Sequence, residues 1–103
     1  MKIIKCIAEK IEDELHDASE YVELAMKWKD EQPDVAELFY TLSTEEMGHM
    51  ERLHEAVQEL IGEYREQHGE PPKEMMVLYD YLHEKHIATA TEIKVKQGIY
   101  QMQ

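Results

Sequence analysis

Apolar residues recur along this chain at alternating spacings of three and four, which is the period of an amphipathic helix. Two polar stretches interrupt the pattern, Asp30-Glu31-Gln32-Pro33 and His68-Gly69-Glu70-Pro71-Pro72, and both read as turns. Three helices are predicted, over about residues 3–29, 33–67 and 72–100, with no run that reads as a strand. In the first, Ile4, Ile7, Ile11, Ala18, Tyr21, Ala25 and Trp28 form one stripe whose single gap is filled by Glu14. The second begins at Pro33, a residue suited to a first helical position. Its stripe runs Val35, Phe39, Leu42, Glu46, His49, Leu53, Ala56 and Leu60, so polar residues again occupy its middle. Met47, Met50, His54, Val57 and Ile61 make a second stripe, which implies that this helix is covered on two sides, one of them by the third helix. The third helix reads Met76, Tyr79, His83, His86, Ala90 and Ile93, with Gly98 weakening its last turns.

At 103 residues the chain is expected to form one all-α domain, of a size at which association often adds stability. A formal net charge of -12 repels a phosphate backbone or an anionic membrane and draws cations, so nucleic acid and membrane surfaces are not expected partners. The same acidity also serves plain solubility. Cys6 has no partner for an internal disulfide, and Ile3-Ile4-Lys5-Cys6-Ile7 is too short and interrupted for a signal or spanning segment. A reducing, cytoplasmic setting is therefore the default expectation.

Glu46 and His49 stand three apart, so on a helix both project from one face. If helices one and two form an antiparallel hairpin about residues 30 and 31, facing positions carry numbers that sum to roughly 61. Glu14 then faces the gap between Glu46 and His49. An unpaired buried carboxylate costs on the order of several kcal/mol, so a positive charge is expected among the three. Carboxylate oxygen with imidazole nitrogen and no thiolate suits iron, manganese or zinc. Two other readings remain: Glu14 pairs with His49 as a hydrogen-bonded couple, or rotation of the helices turns these residues to the surface.

The segments Glu14 to Tyr21, Pro33 to Phe39 and Ser43 to Leu53 resemble the ferritin and rubrerythrin-like superfamily, over about residues 12–60. Members build a di-iron or di-manganese site from one Glu on each of two helices and a Glu-x-x-His on each of two others. This sequence supplies one of each, and the third helix offers Asp80-x-x-His83 and His83-x-x-His86 but no Glu-x-x-His. The resemblance, closest to the short encapsulated ferritins, therefore implies a homodimer or higher oligomer. Two hairpins would complete a ferritin-like four-helix bundle around two iron ions, held by two copies of Glu14, Glu46 and His49. It also implies oxidation of Fe(II) by dioxygen or peroxide, with an encapsulating or redox partner left open.

Several residues have weaker claims. Tyr21, two turns beyond Glu14, reads first as a core tyrosine and second as a hydrogen-bonding or redox-active neighbour of the metals. Glu45 and Glu51 read as a solvated helix face. Folding back about residue 70 brings His54 level with His86, with His83 one turn away, as core or surface histidines before a metal or pH-sensing cluster. Glu92 comes level with the site but off the stripe. The seven methionines and Cys6 read as packing residues, and Trp28 as packing near the first turn. A non-catalytic acidic helical adaptor that uses the two-faced second helix to bind another protein gives the same periodicity.

Overall fold

A computed structural model describes residues 2–103 as three helices: α1 (Lys2–Trp28), α2 (Pro33–His68) and α3 (Lys73–Met102). No strand occurs among the described residues, and no helix is long and apolar enough to cross a membrane. The 36 residues of α2 span about 54 Å at 1.5 Å each, which accounts for the long axis of the 56 × 18 × 18 Å rod.

The turns act through backbone geometry. Gln32 N–H donates to Trp28 O (2.8 Å) and Ala36 N–H to Gln32 O (2.9 Å), while Pro33 opens α2 where no intrahelical donor is needed. At the other end Gly69, with φ 77°, takes a conformation that a side chain would strain, and its N–H donates to Arg65 O. Lys29 donates to the carbonyls of Tyr100 and Gln103, and so places a cation at the C-terminus of α3. Helix α3 runs past Gly98 to Met102, two residues beyond the expected end near 100.

The α1–α2 hairpin packs closely along its length because small residues line it: Ala18, Ala25, Ala36 and Ser43 are all completely buried. Ser43 Oγ donates to Ala18 O (2.7 Å) and accepts from Gln97 Nε2 (3.0 Å), tying the three helices at one height. The main core joins Ile11, Leu15, Ala18 and Val22 of α1 to Met47 of α2 and Ile93 of α3. A second cluster of Ile4, Val57 and Ile61 closes the end where α2 meets α3, and a third of Ala25, Ala36 and Tyr100 closes the other, with Trp28 packed on it as expected.

The buried faces differ from the expected ones. On α2 the second stripe is the inner one: Met47, Val57 and Ile61 are buried, whereas Phe39, Leu42, Glu46, Leu53, Ala56 and Leu60 are half-buried. On α1 the core takes Leu15 and Val22, both absent from the expected stripe, while Ile7, Glu14, Tyr21 and Trp28 are half-buried at seven-residue intervals. The cause is α3, which lies against the inner stripes and leaves the outer seam of the hairpin partly open. Cys6, expected to pack, is exposed on α1.

A candidate metal centre on the hairpin seam

Midway along the outer seam the hairpin register brings Glu14 of α1 opposite the Glu46-x-x-His49 pair of α2. One ligand atom from each of the three lies within 4.8 Å of the others. His49 Nδ1 is 3.4 Å from Glu14 Oε2 and 3.8 Å from Glu46 Oε2. Both carboxylate side chains are largely covered, at 25% and 20% exposure, whereas His49 is 51% exposed and forms the outer wall. Glu14 Oε2 is fully buried and accepts no hydrogen bond, since 3.4 Å to the imidazole nitrogen lies outside bonding geometry. A buried carboxylate oxygen without a donor is costly. A divalent cation among these atoms would remove that cost, and two carboxylate oxygens with one imidazole nitrogen suit a first-row metal. The residues therefore fit such an ion, but three donors fall short of a full coordination shell.

A family model for rubrerythrin matches residues 5–102, nearly the whole chain. The chain belongs to the rubrerythrin family. With it comes membership of the ferritin-like superfamily, to which the three-helix architecture conforms, and an indication of di-iron carboxylate binding. Neither a curated protein nor a solved structure matched the chain.

The remaining candidates lie elsewhere. Tyr21 stacks on Phe39 with ring centroids 6.2 Å apart, and among the described residues its hydroxyl makes no hydrogen bond to the three donors. Glu45, Glu51 and Glu92 are exposed and outside the cluster. His16, Asp17 and Glu20 also approach one another, exposed on α1.

His54, His83 and His86 gather on the opposite side of α2, but not at the expected height. His54 stacks on His83, with centroids 4.6 Å apart and planes 6° apart, rather than lying level with His86. Gln58 and Tyr79 pair in the same register through a 2.8 Å hydrogen bond. Ile93, seated among Leu15, Ala18 and Val22 of α1, fixes the height of α3, so the α2–α3 turn does not. Burial pushes the His54 and His86 imidazoles below their usual value. His83 adds to the shift at His54, while Glu12 opposes it at His86. Burial also raises the Tyr100 phenol to about 12, helped by its hydrogen bond to Glu37.

Proposed function

We propose that two copies of this chain face each other across their outer α1–α2 seams and share two iron ions between paired sets of Glu14, Glu46 and His49. The observation that carries this reading is a partly open seam in which three metal-binding side chains converge and Glu14 Oε2 is buried without a donor. Half-buried apolar residues flank the donors on both sides, Phe39 and Leu42 toward one end, Leu53, Ala56 and Leu60 toward the other. Covering that strip with its own copy buries apolar area and supplies the missing donors together. The second hairpin thus completes a four-helix bundle.

The chain's residues divide the work. Glu14 and Glu46 provide the negative charge, and two copies of each offset two divalent cations, so the assembled centre brings no large net charge inside. His49 supplies the neutral donor, and the flanking apolar strip limits water at the centre. The bound iron supplies one-electron chemistry, so the activity assigned is oxidation of Fe(II) by dioxygen or peroxide. Manganese or zinc fits the same donor atoms without supporting that activity equally.

Anaerobic Fe(II) titration tests the assignment. Wild type should take up close to one ion per chain. Glu46→Ala and His49→Ala should each abolish stoichiometric uptake, while His83→Ala and His86→Ala leave it nearly intact. In air, wild type should consume oxidant faster than free iron does, with Glu14→Ala falling to the buffer rate. Unchanged uptake in Glu46→Ala would remove the site, and equal rates for wild type, Glu14→Ala and buffer would leave a structural metal centre.

A further inference from the structure

On the far side of α2 from the seam, a groove of about 410 Å³ opens between α2 and α3, where the two backbones hardly approach each other. Its walls carry Glu51 and His54 from α2 and His83 and His86 from α3. Glu51-x-x-His54 repeats the Glu-x-x-His spacing of the seam five residues later, turned to another face of the helix. His83-x-x-His86 has the same spacing on α3, so four donor side chains come from two facing helical pairs.

His86 joins the groove wall to α1. Its side chain is 10% exposed and its Nε2 is turned to the Glu12 carboxylate of α1, 3.5 Å away, so Nδ1 is the nitrogen left for a metal. A carboxylate beside one imidazole nitrogen fixes the ring and makes the other nitrogen a better donor, a recurrent support for metal-binding histidines.

We infer that this groove is a second metal site, within a single chain, in which His54, His83 and His86 with Glu51 hold a zinc-like divalent ion and clamp α3 to α2. Three imidazoles and one carboxylate favour zinc or cobalt over iron, in line with the general order of affinities. In the present arrangement His54 and His83 stack as parallel rings, and parallel rings aim their lone pairs side by side. Binding therefore turns one ring out of the stack, into space that the groove provides. Glu12 is a positioning residue that acts through His86.

The full-length chain carrying Glu46→Ala and His49→Ala, which lacks the seam donors, isolates the groove. Co(II) titration at pH 7.5 should give about one ion per chain, with the visible absorption of nitrogen-ligated cobalt, at the same affinity whatever the chain concentration. Zn(II) should displace it. Adding His83→Ala and His86→Ala should abolish binding, and Glu12→Gln should weaken it by about 10–100-fold at unchanged helix content. No saturable binding in the seam-less chain, or binding indifferent to His83 and His86, overturns the site. If those variants do not fold, NMR of the wild type decides: Zn(II) should shift the imidazole signals of His54, His83 and His86, and unmoved signals overturn it. Failure here leaves the iron centre standing, because that centre is read from Fe(II) uptake and Glu46.

Discussion

Helix α2 has two neighbours, and they meet it differently. Against α1 it packs closely over completely buried Ala18, Ala25, Ala36 and Ser43, so side chains from the two helices reach one another at short range. Against α3 the backbones stand apart and long side chains bridge the gap, as in Gln58–Tyr79, His54–His83 and Tyr100–Glu37. Donor atoms converge at the first contact, where Glu14, Glu46 and His49 already lie within binding distance of one point. At the second they line a groove and stack. Close backbones pre-organise a site, whereas splayed backbones leave room that a ligand must organise.

The comparison can be broken most sharply at the close contact. Leu15→Ala removes a side chain that is 2% exposed and shared by all three helices, so it should cost about 2–5 kcal/mol in chemical denaturation. Ser43→Ala should cost about 1–3 kcal/mol, because it removes the donor to Ala18 O and leaves Gln97 without its acceptor. Gln58→Ala, at an exposed bridge of the splayed contact, should change stability by no more than about 0.5 kcal/mol. A Gln58 effect as large as that of Leu15 would show that the two contacts are equivalent.

Titration sharpens the same contrast. His54 and His86 titrate below their usual value when folded, so the unfolded chain binds protons first as pH falls. Their contribution to stability is full above about pH 6.5 and is lost as pH drops through the lowered folded values. With metals chelated, denaturant midpoints measured across that range should fall, and His86→Gln should flatten the dependence. An unchanged slope in His86→Gln would place the acid sensitivity elsewhere.

Much of this was legible in the residues. Three helices, both turns and the meeting of Glu14 with Glu46 and His49 follow from periodicity and hairpin register, because the hydrophobic period is local and the turn between α1 and α2 is short. Which face lies inside was not legible. Both apolar stripes on α2 could be buried, and only the third helix decides between them, favouring Met47, Val57 and Ile61. Leu15 and Val22 escaped for the same reason: the inner face of α1 is set by a helix far away in sequence. The height of α3 is also non-local, since Ile93 on α1 fixes it and moves His83, not His86, onto His54. The count of a single Glu-x-x-His was short by one: Glu51 and His54 have the same spacing, starting two residues after His49, on another face of α2.

The central claim is that one chain carries half a metal centre, and the direct measurement is sedimentation of the wild type at several concentrations, with anaerobic Fe(II) and with chelator. A ligand that binds only the dimer stabilises it by about 2.7 kcal/mol at a hundredfold excess over its dissociation constant, roughly a hundredfold in apparent dimerisation. Fe(II) should therefore strengthen association by at least that factor in wild type and have no such effect in Glu46→Ala. Monomers that take up the full complement of iron without associating would contradict the account.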